Sequence, residues 1–493
     1  MRTLRWRGAT ARTTDPVLVG LVAAVVYALH GHDGPLGRDL GVFVYGGEQV
    51  ARGVPPYVGI FNSVGPLADA VPGLAIRVGG LVGADPVVAA RTLFLVLSAC
   101  CCALVSVLAR DVLASRAAGF LAPAVFLTFP EFLDLASNGP REKTVMVLFL
   151  LGALILAGRR HWVLAGVSTA LATLTWQPVL AVAVAGAAVL VAALPERRLR
   201  AAAGFVAGGL LTLGATVAAY AASGDLRTAV GGFVLVNLED KQQPSVFSAP
   251  AATWRLLERG YGASIWLVLL GLVAVVVLAV RVRSARLLAL AAATLAGTAW
   301  TASAINGAPD LFELLPLGAV GVAGAGLAAT RHLPVRAGRV LLVGATAAAV
   351  LAAGVTSVTT RSDLLDQERA DVAAVLAAGP ADASVLSIDA PEVLALAGRR
   401  NPTGLQLFDP AMEHYLDTHR PGGMAGYARE VERLHPTFIV VGRHYERAWP
   451  LALLERDYRE VGRGTAWTWY LARSAGPAAL AACITANRRA MGG

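Results

Sequence analysis

Long apolar runs separated by short arginine-bearing loops constrain this chain more than any other feature. Of its 493 residues, 56% are hydrophobic and 15% charged, too few polar groups to clothe a soluble globule of this size. A bilayer core takes about 20 apolar residues per helix. Val17–Leu29, Val87–Ala109, Ala201–Ala222, Ile265–Val280, Leu287–Ala304, Leu311–Thr330 and Val340–Val358 reach or approach that length. The expected class is therefore a polytopic α-helical membrane protein. The formal charge of +9 does not call for nucleic acid, because the arginines cluster in short loops between the apolar runs, as in cytoplasmic loops. Cys100, Cys101 and Cys102 lie in one apolar run and Cys483 in the tail, so neither a metal spacing nor a disulfide framework follows.

Charge also orients the chain. Arg110–Arg116, Arg159–Arg160, Arg197–Arg200, Arg281–Arg286 and Arg331–Arg339 should share the cytoplasmic side, so each pair must be separated by an even number of crossings. Pro66–Val82, with two prolines, Arg77 and Gly79-Gly80, would break that parity and is read as lying at the interface. Trp162–Leu194 is too long for one span, and Gln177-Pro178 breaks it into two. About eleven spans with a cytoplasmic N-terminus follow. A signal-peptide-like start (Arg2, Arg5, Arg7, Arg12, then Val17–Leu29) lacks a clear cleavage site and is read as a retained first helix. The outer side then holds the first loop (31–85), the long loop 223–262 and everything after residue 360.

Residues 361–475 are charged and read as an extracytoplasmic α/β domain, set apart from a transmembrane domain of residues 1–360. A helix near Leu364–Ala378 precedes strands at Ala383–Ile388, Thr437–Gly442 and Thr465–Ala472. No GxGxxG or phosphate-binding loop accompanies them. Residues 476–493 form an Ala-rich tail without an evident role.

Against this arginine-rich background the chain has two lysines, each beside carboxylates: Lys143 in Asn138-Gly-Pro-Arg-Glu-Lys and Lys241 in Asn237-Leu-Glu-Asp-Lys. Both fall on the outer side with the first loop. Such a gathering of acids and cations suits chemistry on an anionic lipid. Transfer of a sugar from a lipid phosphate needs a carboxylate to take the acceptor's proton and cations near the departing phosphate. Asp39 is the expected base, although it could instead pair with Arg38 or cap the following helix. Glu48 lies nine residues on, on the opposite face of a straight helix, and could join Asp39 only through a bend at Gly46-Gly47. Arg141, Lys143 and Lys241 are the candidate phosphate ligands; Tyr57, Glu142, Glu239 and Asp240 are candidate acceptor or supporting groups. Trp467 and Trp469 read as core, and the scattered histidines as structural or solvated.

The run Asp39-Leu-Gly-Val-Phe-Val-Tyr, then Ala51-Arg-Gly-Val-Pro-Pro-Tyr57, then Gly65-Pro66-Leu67 resembles the first outer loop of the GT-C glycosyltransferases, the group that includes protein O-mannosyltransferases and lipid A aminoarabinose transferases. Asn138-Gly-Pro-Arg141-Glu142-Lys143, Asp310-Leu-Phe-Glu313-Leu-Leu-Pro316 and the closing α/β domain match further parts. The resemblance implies a polyprenyl-phosphate sugar donor, inversion at the anomeric carbon, an extracytoplasmic acceptor and Asp39 in the essential-Asp position. It departs where the family often has an acid after Pro-Tyr (here Val58-Gly59) and a Lys or His before Gly-Pro (here Ser63-Val64). A divalent metal, as in some relatives, would fall to the acids of the Asn237–Gln243 stretch, but no spaced ligand set marks one. The alternatives are a transporter or flippase for a lipid-linked sugar and a relative that has lost catalysis. The high-GC style of the composition makes a bacterial plasma membrane the expected location.

Overall fold

The computed structural model describes residues 14–239, 245–443, 445 and 449–492. The chain divides into two compact units, each assembled from separate stretches.

The first unit comprises Met1–Gly31, Thr92–Ala219 and Gln242–Thr360, and its described residues are helical or in short connections. Its core is built on Phe126, Phe132 and Phe312, whose rings follow one another at 4.6 and 4.9 Å. Without a hydrophobic drive between helices in lipid, small residues set their spacing. The Ser264–Val282 helix meets Leu315–Thr330 this way: a Cβ on Gly271 would fall 2.1 Å from the Gly318 carbonyl oxygen. Among the described residues, five helices are long and apolar enough to cross a bilayer, and the Arg116–Leu127 and Pro130–Asn138 pair, bent by 76°, would make a sixth. Thr14–His30, Trp162–Thr173, Val179–Ala192 and Leu315–Thr330 are shorter apolar helices. The expected break at Gln177-Pro178 is present as the interval between Thr173 and Val179.

The second unit gathers His32–Arg91, Tyr220–Lys241 and Arg361–Gly493. These compact units cut across the expected linear division at residues 360 and 475. The first outer loop and part of the long loop belong to the same compact unit as the C-terminal domain, because their polar and aromatic side chains pack there. Arg91, fully buried, donates to the carbonyls of His32 and Pro35; Glu368 accepts from the Leu36 amide at 2.8 Å and the Thr465 hydroxyl at 3.0 Å.

A four-stranded sheet of order β1-β2-β4-β3 lies at the centre of this unit, with β1 Val385–Ile388, β2 Phe438–Gly442, β3 Tyr458–Arg463 and β4 Trp467–Ala472. β1 and β2 run parallel; β4 is antiparallel to both β2 and β3. Three strands coincide with the expected ones. β3 was not anticipated, since Tyr-Arg-Glu-Val-Gly-Arg buries only Tyr458 and Val461 and presents a weak apolar pattern at the sheet edge. The tail is a helix, Gly476–Ala490, packed on Leu364–Ala378.

Asp371 joins these parts. Its carboxylate accepts from the indoles of Trp467 (3.0 Å) and Trp469 (2.9 Å) and from the Asn487 amide (2.7 Å). Both tryptophans are fully buried and therefore core. Asp371→Leu would strand three buried donors at about 1–3 kcal/mol each. Thermal unfolding of the full chain, followed by tryptophan fluorescence, should show a loss of several kcal/mol, whereas a change below about 1 kcal/mol would mean the donors had found other partners.

Candidate functional site

Asp39 stands in the first turn of the Gly37–Ala51 helix, with half of its side chain exposed (53%). A carboxylate at a helix N-terminus is favoured by the unpaired amides and the helix dipole, yet no side-chain cap is formed there. Its carboxylate is 3.1 Å from Arg38 Nη1, while Nη2 of the same guanidinium reaches Asp389 at 2.9 Å. Arg38 therefore bridges the first loop to the Asp389-Ala-Pro-Glu392 turn. Asp389 takes a left-handed conformation (φ 60°), costly for a non-glycine residue, and its carboxylate also accepts from the Phe408 amide at 3.3 Å. The Gly37–Ala51 helix passes so close that a Cβ on Gly41 would lie 2.6 Å from the Glu392 backbone.

Glu392 is fully buried, and no other described residue hydrogen-bonds to either carboxylate oxygen. Burial, reinforced by Glu368 and Asp389 against the pull of Arg38, pushes its pKa up to about 8. The folded chain keeps this proton up to about pH 8, whereas the unfolded chain releases it near 4.5. Between those values the folded state binds the extra proton, so Glu392 makes stability fall as pH rises through the window and level off above it. Thermal unfolding at pH 5 and 8.5 should show Glu392→Gln gaining on wild type at the higher pH; an equal offset at both would remove this account.

Glu48 does not join Asp39. The segment is one helix through Gly46-Gly47, so nine residues separate the acids by about 13 Å along the axis. The glycines serve close packing instead: a Cβ on Gly46 would meet the Asp69 carboxylate at 2.3 Å. Glu48 is buried and pairs with Arg52 at 3.3 Å; burial outweighs that arginine and raises its pKa to about 7. Tyr57 is also buried, its hydroxyl donating to the Val64 carbonyl at 2.7 Å. It closes the Pro55–Val64 loop on itself. Glu239 divides between His414 (3.0 Å) and His419 (3.5 Å), which gives two of the scattered histidines a definite partner. Asp240 and Lys241 lie outside the described residues. Among those described, no group of three or more His, Cys, Asp or Glu side chains is placed to hold a metal ion.

The first unit holds the other cluster. Arg141 precedes the Glu142–Gly158 helix, with Glu142 and Lys143 in its first turn. Arg141 Nε is 3.2 Å from Glu142, and Lys143 Nζ is 3.9 Å from the same acid. Lys143 is buried and donates to Asp310, with its Nζ 4.9 Å from the centre of the Trp176 ring. Asp310 in turn accepts from the amides of Asn306 (2.6 Å) and Gly307 (3.1 Å). Burial pushes that carboxyl up, but Lys143 and the two amides outweigh it and hold it below its usual range. Glu313, one turn on, is fully buried, and among the described residues neither of its oxygens is hydrogen-bonded. Nearby, His30 is buried, its Nε2 3.0 Å from Asp134 and its Nδ1 3.1 Å from the Ser357 carbonyl.

Sequence reading placed Arg141, Glu142 and Lys143 together but missed their partners Asp310 and Glu313 as charges, noting the segment only as a motif. It also missed Asp69, buried with its Oδ2 accepting from Asn62 at 3.2 Å. The available signal was acids at the ends of apolar runs, where desolvation is costly unless the charge is paired or functional.

No protein-family model and no curated protein matches the chain. Solved structures do. It is similar to ArnT from Cupriavidus metallidurans in the apo state, at 15% identity and a TM-score of 0.61, with 94% of this chain and 98% of that one covered. ArnT bound to undecaprenyl phosphate gives the same identity and TM-score, with 94% and 100% covered. The archaeal oligosaccharyltransferase AglB from Archaeoglobus fulgidus, in complex with an inhibitory peptide and a dolichol-phosphate, matches at 13% identity and a TM-score of 0.51, over 94% of this chain and 75% of that one. The chain has the fold of the GT-C membrane glycosyltransferases.

Proposed function

We propose that this protein is a membrane glycosyltransferase that takes a sugar from a polyprenyl-phosphate donor and passes it, with inversion, to an extracytoplasmic acceptor. The observation that carries the reading is the half-exposed Asp39, just beyond the first apolar run of a chain with a GT-C fold; the sequence resemblance is what suggests it for the essential acid. Undecaprenyl phosphate on ArnT and dolichol-phosphate on AglB support a polyprenyl-phosphate partner. Asp39 is the general base. Arg141 is the first cation for the donor phosphate, since a guanidinium matches phosphate oxygens with paired N–H donors. Lys143 and Lys241 are the further candidates. Glu142 orients Arg141.

Eleven crossings belong to the same proposal: the helices of the first unit, with Pro86–Leu113 and Arg198–Ser223, can be counted to that number if the shorter apolar helices and Glu142–Gly158 are included and the bent pair is taken as one. That number keeps every arginine loop on the cytoplasmic side and the C-terminal domain outside. The Leu67–Gly80 helix buries Ala68, Pro72 and Ile76 but exposes Leu74 and Val78, the one-sided pattern of a segment lying in the interface.

One observation favours a second reading, a relative without catalysis: Lys143 is neutralised by Asp310. Purified protein offered a panel of labelled polyprenyl-phosphate sugars, with envelope extract as acceptor, separates the readings. Label in the extract supports the transferase. Donor binding without transfer supports the inactive relative, and label carried across proteoliposomes without transfer supports a flippase.

A further inference from the structure

At the end of the first unit opposite His30, the Arg116–Leu127, Leu315–Thr330 and Val335–Thr359 helices enclose an open groove of about 640 Å³. Its depth is apolar, lined by Phe120, Leu327 and Leu342, with the exposed Val343 on its wall. Its rim is cationic, carrying Arg331 and Arg339, and among the described residues no acidic side chain lines it. Both arginines are exposed, and among the described residues neither pairs with a carboxylate. The neighbouring Arg116 behaves differently: Asp15 takes it through two hydrogen bonds of 2.7 and 2.8 Å. Ser115 and Thr330 add hydroxyls at the same rim.

We infer that this groove binds one anionic glycerophospholipid, its phosphate held by Arg331 and Arg339 and an acyl chain laid along Leu342, Val343 and Thr346. The charge complement selects an anion, because guanidinium groups match phosphate oxygens with paired N–H donors. Basic pockets between helices at a membrane surface recognise anionic headgroups in this way. The groove's length of exposed apolar wall, with Val343 63% exposed, is what a lipid chain would cover and a free phosphate would not. The inference rests on reading the first unit as membrane-embedded and not on sugar transfer, so failure of either leaves the other standing.

The test is native mass spectrometry of the full chain released from nanodiscs of mixed phosphatidylglycerol and phosphatidylcholine. Wild type should retain one phosphatidylglycerol in preference to phosphatidylcholine. Arg331→Gln with Arg339→Gln should cut that preference on the order of tenfold or more, since each such charge near the surface contributes about 1 kcal/mol. Thr346→Trp, which fills the groove, should lower retention of the lipid itself, and Arg200→Gln, exposed but not lining the groove, should leave it unchanged. Equal retention of the two lipids by wild type overturns the inference without need of any variant. So does an undiminished phosphatidylglycerol excess in the double variant.

Discussion

Asparagine at position 39 is expected to lower sugar transfer by about 10²–10⁴-fold, the usual contribution of a positioned general base, while barely moving the melting temperature. The carboxylate is 53% exposed and its partner Arg38 33%, and ion pairs with that much solvent contribute about 0–1 kcal/mol. Arg38 keeps its bond to Asp389 when Asp39 changes, so the turn that joins the first loop to the C-terminal sheet persists. Asparagine preserves size and cannot take a proton. Transfer and thermal unfolding measured on the same preparations separate the two effects. Undiminished transfer would remove Asp39 from the chemistry, whereas a parallel loss of transfer and stability would make it a structural residue.

Lys143→Met is expected to be the most destabilising single change at the acidic and basic clusters, by about 3–5 kcal/mol. It would leave the buried Asp310 with two backbone amides but no counter-charge, near Glu313, whose oxygens have no hydrogen bond among the described residues. Asp310→Asn should cost a similar amount by stranding the ammonium. The double variant should recover most of the loss, because replacing both partners removes the charge that had to be matched. Additive losses would mean that the two side chains contribute independently and the pair is not a unit. Thermal unfolding of the four proteins in one detergent decides this. Loss of transfer in a stable double variant would assign Lys143 to the donor phosphate as well.

Much of the architecture was legible because its causes are local. Pro178 lacks the amide that would continue the preceding helix and caps the next one, and the short apolar run in Thr437–Gly442 needs no knowledge of neighbours. The place of Asp39, an exposed acid just beyond the first apolar run, was legible for the same reason, while its part in the chemistry is a proposal. Glu48 was not: its fate depended on whether Gly46-Gly47 bend or pack, and contact with the Asp69 helix decided for packing. Tyr57 likewise proved to be committed to Val64.

The sequence by itself determined which segments are apolar, where the arginines fall and which acids sit at the ends of runs, since these are properties of composition and spacing. Only the tertiary structure decided which charges meet. It brought Lys143 to Asp310 across 167 positions and Arg38 to Asp389 across 351, and it folded the first loop with the C-terminal domain. Ion pairs of that separation follow from how helices and strands pack, and no short-range pattern encodes them.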